Sequence, residues 1–147
     1  MTVYKFSVYG LPGPQGSKRH VGGGRMIESS AKVKPWREAV KWAAIQARNG
    51  NAPLDEPLAV MMAFAFIRPA SAPRRITLPA KRPDLDKLIR STSDALTDSG
   101  IWRDDSLIVC LVASKMFVSA GPDWPDAQGV WLEIGPLTSL LPTQGPA

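Results

Sequence analysis

Between residues 2 and 9 apolar and polar positions alternate, with Tyr4, Phe6 and Val8 on one side and Lys5 and Ser7 on the other. A period of two predicts a half-buried strand, because successive side chains leave a strand on opposite faces. From Gly10 to Gly24 the pattern dissolves into Gly, Pro and Ser, which predicts a loop; it carries Lys18, Arg19 and His20. Pro35 then opens a helix to about Arg48, stopped by Asn49-Gly50. Trp36, Val40, Ala43, Ala44 and Ala47 recur at helical spacing and form its apolar stripe.

Leu58–Ile67 is a continuous apolar run bounded by Pro57 and Pro69, which predicts a buried strand. A second helix is expected from about Leu85 to Thr97, ended by Ser99-Gly100. Leu85, Leu88, Ile89, Thr92, Ala95 and Leu96 share one arc of it, and Asp86, Lys87, Arg90 and Asp94 the other. Ser106–Val118 reads as a long strand and Val130–Ile134 as a short one. The order β-α-β-α-β-β predicts a single α/β domain over residues 1–135, with two main helices packed on a mixed β-sheet. Residues 136–147, rich in Pro, Leu and Thr and without charge, are expected to form a flexible tail.

Composition narrows the chemistry. The single cysteine, Cys110, forms no internal disulfide and no multi-cysteine metal site, and a single histidine, His20, excludes a His-rich zinc site within one chain. No apolar run approaches the roughly 18 residues of a membrane span, and the start of the chain lacks a secretory signal's apolar stretch. The expectation is a soluble cytoplasmic protein whose metal chemistry, where present, uses carboxylates.

The net charge of +5 is unevenly placed: residues 1–50 hold nine basic and two acidic residues, the remainder nine basic and eleven acidic. Six of the thirteen acids fall between Asp84 and Asp105. Just before them lies a proline-punctuated stretch, Arg68–Pro83, with five basic residues and no acid: Arg68, Arg74, Arg75, Lys81 and Arg82. Carboxylates within a polyanion-binding face are electrostatically unfavourable unless a cation sits among them. Hard ions such as Mg²⁺ take oxygen ligands and keep several waters, so two or three carboxylates suffice. Asp84 and Asp86 stand where the loop enters a helix, and Asp105 where a tight turn enters a strand. The plainer alternative stays open, because Asp is a favoured helix N-cap and first-turn acids suit the helix dipole. Trp36 and Trp42 read as packing residues, Cys110 as a small core residue, and Trp102 as either core or stacking platform.

Asp84-Leu85-Asp86-Lys87-Leu88, then Asp94-Ala95-Leu96-Thr97, then Gly100-Ile101-Trp102-Arg103-Asp104-Asp105, and finally Lys115, together resemble the RusA family of Holliday junction resolvases. The loop Pro12-Gly13-Pro14-Gln15-Gly16-Ser17-Lys18-Arg19 is similar to phage-borne members of that family. The likeness covers roughly residues 3–134 and is most specific over 81–115. It implies a homodimeric, Mg²⁺-dependent crossover junction endodeoxyribonuclease, with Mn²⁺ as a substitute ion. Such an enzyme nicks two opposed strands of a four-way DNA junction during recombination and repair, in the cytoplasm of a bacterial host, from a phage or host gene.

On this resemblance Asp84, Asp86 and Asp105 match the metal-binding catalytic aspartates. Where the family has a functionally important lysine one turn after the second aspartate, this chain has Arg90. Arginine keeps the charge and presents a planar fork, but it does not donate a proton, so Lys87 is a candidate to share that role. Lys18, Arg19, Arg74, Arg75, Lys81, Arg82 and Lys115 are the candidate DNA-binding residues. Two alternatives accompany this expectation: a less selective branched or flap DNA nuclease of phage replication or packaging, and a DNA-binding module without catalysis.

Overall fold

The computed structural model describes residues 2–16, 18–20, 26–28, 31–119 and 125–140, with no side-chain description for 18–20, 26–28 and 140. Strand β1 (Tyr4–Tyr9) is followed by a short hairpin, β2 (Lys18–His20) and β3 (Met26–Glu28). Helix α1 (Val33–Arg48), strand β4 (Leu58–Phe66) and helix α2 (Leu85–Ser99) come next. A 3₁₀ turn at Asp105–Leu107 leads into β5 (Ile108–Phe117), β6 (Gly129–Pro136) and a single helical turn, α3 (Leu137–Leu140). The expected order holds, and the paired strands β2 and β3 are an addition, β2 within the Gly10–Gly24 stretch expected to be loop and β3 just beyond it.

Four strands form one mixed sheet in the order β1-β6-β4-β5. β4 runs parallel to β5 and antiparallel to β6, and β6 runs antiparallel to β1. A parallel pair needs a crossover, and α2 supplies it, so α2 runs back along the β4–β5 pair. Leu58, Val60, Met62, Phe64 and Phe66 alternate along β4 towards the helices and meet Val130, Leu132 and Ile134 of β6. Trp36, Val40 and Ala44 of α1 and Leu88, Ala95 and Leu96 of α2 close this core. Each such aliphatic or aromatic side chain contributes about 1.5–3 kcal/mol by leaving water.

The helix boundaries follow from local chemistry. α1 begins two residues before Pro35, because a proline within the first turn forgoes an N–H that has no intrahelical acceptor anyway. α2 runs to Ser99 and stops at Gly100, whose φ of 74° is the left-handed cap that glycine adopts without strain. The two helices are joined by a buried hydrogen bond in which Trp36 Nε1 donates to Thr92 Oγ1 at 3.1 Å. β6 extends past the expected Ile134 to Pro136, opposite Leu58, and the Leu137 amide donates to Pro57 O at 3.0 Å. Of the segment expected to be a flexible tail, Leu137–Leu140 forms one helical turn, and residues 141–147 lie outside the described residues. No helix among the described residues is long and apolar enough to cross a membrane.

Candidate active site

Asp84 occupies the N-cap position of α2 with extended backbone angles, φ −71° and ψ 137°. Its carboxylate nevertheless caps none of the helix's N–H groups. The capping account of this residue is thereby removed, while its place at the N-terminus of α2 still suits the helix dipole. The carboxylate is exposed and lies 3.4 Å from Lys87 Nζ, an exposed i,i+3 pair worth little to stability. Asp86, in the first turn, is exposed as well, and Arg90 and Asp94 follow it at four-residue intervals along one face of α2.

The turn that aims Asp84 is tied down from β5. Lys115 Nζ donates to Lys81 O at 2.8 Å and to Pro83 O at 2.9 Å. An ammonium placed this way uses two of its three donors on backbone, so Lys115 acts here as a strut for the residues entering α2. A second restraint comes from the 10–16 loop. Ser91 Oγ donates to Gly13 O at 2.6 Å, and the Gln15 amide donates to Lys87 O at 3.0 Å. Gly13 is packed so closely that a Cβ there would sit 2.2 Å from Lys32 O.

These segments enclose an open cleft of about 1340 Å³, with Arg75, Lys81, Arg82, Lys87 and Asp84 along one part and Pro12, Gln15, Phe66 and Phe117 along another. Arg68 folds the loop above it, donating to Pro73 O and Ile76 O and lying 5.8 Å from the Phe117 ring centroid. Arg74 is exposed on the same loop. Lys18 and Arg19 fall on β2, and their side chains lie outside the described residues. Part of the basic N-terminal charge serves the fold: Arg37 pairs with Asp98 at 2.8 Å, and Arg48 Nη1 donates to Asn51 O at 2.9 Å.

Asp105 sits elsewhere. It opens the 3₁₀ turn that feeds the start of β5, whereas Lys115, which marks the position of Asp84, lies near that strand's end. Ile108 to Lys115 covers about 23 Å at the ~3.3 Å rise of a strand. Among the described residues no three carboxylate, imidazole or thiol groups converge on one point. Within a single chain the three aspartates lie in two places, Asp84 with Asp86 at one end of α2 and Asp105 towards the other, and they do not converge on one ion.

The acids around Asp105 disturb one another. Its carboxyl is pushed above the usual aspartate range, first by a hydrogen bond with the Asp104 side chain, then by burial, then by the negative charges of Asp104 and Asp94. Asp104 is held low, chiefly because its side chain accepts the Ser106 N–H, at 3.2 Å. Asp94 and Asp104 were not among the expected site residues. The signal that could have found Asp94 is its position eight residues after Asp86, on the same helical face.

Four aromatic and thiol expectations resolve in different ways. Trp36 is core, and Trp102 is 1% exposed with Nε1 donating to Thr97 Oγ1 at 2.8 Å, so neither offers a stacking surface. Trp42, expected to pack, is 58% exposed on α1. Cys110 is half-buried and pairs with Ala59, on the sheet face turned away from the helices.

Comparison with known proteins bears on all of this. The profile of the family described as "Endodeoxyribonuclease RusA" matches residues 10–123. A Bacillus subtilis (strain 168) protein named "Uncharacterized protein YqaN" is 29% identical over 128 residues, spanning 80% of this chain and 89% of that protein.

Proposed function

The chain belongs to the RusA endodeoxyribonuclease family, and from that premise we propose that it resolves four-way DNA junctions as a Mg²⁺-dependent homodimer. The observation that carries the reading is the uncapped Asp84 carboxylate at the mouth of a cleft lined by Arg75, Lys81, Arg82 and Lys87. A surface that needed only to bind DNA would place its acids elsewhere.

Because the aspartates of one chain lie apart, the ion would be held by Asp84 and Asp86 of one protomer together with Asp105 of the partner subunit. When bound, it supplies Lewis-acid assistance to phosphodiester hydrolysis. Two such sites related by a two-fold axis suit a junction with approximate two-fold symmetry. Arg90 is always charged and offers a bidentate fork, so it clamps the scissile phosphate and leaves proton transfer to other groups. Lys87, one residue from Asp86, offsets charge that develops there. Arg74, Arg75, Lys81 and Arg82 hold the flanking backbone, with Lys18 and Arg19 as further phosphate contacts. Lys115 acts through Lys81 and Pro83 as a positioning residue.

The test is a strand-labelled synthetic four-way junction incubated with the full chain and Mg²⁺, Mn²⁺ or chelator. Paired nicks in opposed strands are expected with either metal and none with chelator. Asp84→Asn should bind the junction and leave it intact. Equal cutting of a flap and of linear duplex would replace junction resolution by general branched-DNA cleavage. Binding without product under every metal would refute the nuclease reading.

A further inference from the structure

The cleft beside Asp84 is built of two kinds of surface. Its cations, among them Arg75, Lys81 and Arg82, suit phosphates. Most of the remaining lining is aliphatic, aromatic or proline, including Phe66, Ile67, Ile76, Leu78 and Phe117. Ile67, Ile76 and Leu78 are 65%, 37% and 60% exposed. They are presented by a braced loop, in which the Ile76 amide donates to Pro73 O, the Ala80 amide to Leu78 O, and Arg68 to Pro73 O and Ile76 O. Phe66 and Phe117 end the parallel strands β4 and β5, and the carboxyl ends of parallel strands are where open α/β sheets hold their ligands.

Backbone contacts do not account for the apolar part. In a duplex the faces of the bases are covered by their neighbours, so a groove that follows it meets phosphate, sugar and base edges. An unpaired base exposes two apolar faces and carries a phosphate on either side. Stacked on a protein side chain, such a base contributes about 1–3 kcal/mol. A hydrophobic peptide would suit the walls but leave Arg75, Lys81 and Arg82 unanswered, and Asp84 is the only acid among the described lining residues. The cleft's 1340 Å³ is ample, because pockets of about 300–1,000 Å³ already hold a drug-sized molecule.

We propose that this cleft receives an unpaired nucleotide of the DNA strand that Asp84 addresses. Its base lies against Ile76, Leu78 and Phe117, and its flanking phosphates on Arg75, Lys81 and Arg82. The site deepens the nuclease reading of the same cleft and rests on it. Where the arms of a junction unstack, a base pair lacks a neighbour on one side, so drawing a base out costs least there. The apolar wall thereby favours a branch point over uninterrupted duplex without reading any base edge.

The full chain, in chelator and low salt, is titrated into a four-way junction carrying one 2-aminopurine at successive positions from the branch point. That base is dim when stacked and bright when drawn out, and no Trp or Tyr among the described residues lines the cleft to quench it. A several-fold rise is expected at one or two positions beside the branch point and none in linear duplex. Ile76→Ser/Leu78→Ser, both at exposed positions, should still bind the junction through its cations and lose the rise, whereas Trp42→Ser should keep it. A second probe needs no variant. Single-stranded oligothymidylate and an abasic strand of equal length carry the same phosphates, and the protein should prefer the first by about fivefold or more. Should the double variant unfold by circular dichroism, this pair decides alone. A bound junction with no rise at any position overturns the proposal, as do a rise that survives in the folded double variant and equal binding of the two strands. Failure to bind DNA overturns it together with the nuclease reading. Otherwise the two fail separately: nicking in Mg²⁺ without a rise sinks the base site alone, and a rise that depends on Ile76 and Leu78 without nicking under any metal sinks the nuclease.

Discussion

Lys115→Met removes the ammonium that holds the turn before Asp84 and keeps the apolar stem of the side chain. The two hydrogen bonds lost, to Lys81 O at 2.8 Å and Pro83 O at 2.9 Å, both come from a charged donor. Bonds of that kind are worth about 1.5–3 kcal/mol each where water cannot replace them. Here one is exposed and the other part-buried. Water recovers much of the difference, which leaves about 2 kcal/mol for the pair, or a roughly thirtyfold shift in the opening of the turn. The loss should be local, because the core beneath does not depend on these bonds. Hydrogen exchange is the assay: the Leu88 amide, which donates to Asp84 O, and the Ala80 amide, which donates to Leu78 O, should exchange faster by about that factor. The melting temperature should move little. Junction cleavage should fall while junction binding and its salt dependence stay near wild type. Unchanged exchange together with a uniform loss of DNA affinity and a shallower salt slope would refute the reasoning and return Lys115 to the phosphate contacts.

Further outcomes follow from neighbouring contacts. Gly13→Ala drives a Cβ to 2.2 Å from Lys32 O, so the 10–16 loop must lift off α1 and α2; the Gln15 amide should lose its exchange protection and the protein should lose about 1–3 kcal/mol by denaturant titration. Thr92→Val leaves the buried Trp36 indole N–H without its acceptor and should cost about 1–3 kcal/mol in the same assay. Carboxyl-detected NMR without added metal should find Asp105 titrating above the usual aspartate range and Asp104 below it. Asp104→Asn should bring Asp105 back down, and an unmoved Asp105 would show that Asp104 is not the cause. The stability linkage has opposite signs at the two residues: Asp105 favours the folded state below its unfolded pKa and loses that contribution as pH rises through its raised value, whereas the contribution of Asp104 is present at higher pH and lost as pH falls.

The pattern of apolar positions was enough to read β1, α1, β4 and α2 to within about two residues, because each buries a face with an unambiguous period. The β2–β3 hairpin was not legible, since Gly-rich segments carry no periodicity whether or not their backbones pair. The length of β6 depended on Gly135 and Pro136 pairing with Ala59 and Leu58, a tertiary fact at residues whose own preference is for turns. The acidic motif was legible as a set but not as a place. Asp86 and Asp105 are close in sequence, yet the βαβ crossover reverses direction between them and carries Asp105 to the far end of β5. Lys115 showed a similar gap, because its charge suggested a phosphate while its partners are two carbonyls that no sequence pattern announces. Trp42 breaks the usual rule for large aromatics, lying on α1 away from the core stripe.

The central claim, a junction nuclease whose site is shared between protomers, is tested most directly by mixing two inactive proteins. Asp84→Asn and Asp105→Asn, each without cleavage as a homodimer, are unfolded together, refolded and given a strand-labelled four-way junction with Mg²⁺. In the mixed dimer one site carries both substitutions and the other carries neither. The account predicts recovered nicking, confined to one strand of each junction bound. No recovery in a mixture shown by mass spectrometry to contain the mixed dimer would contradict it.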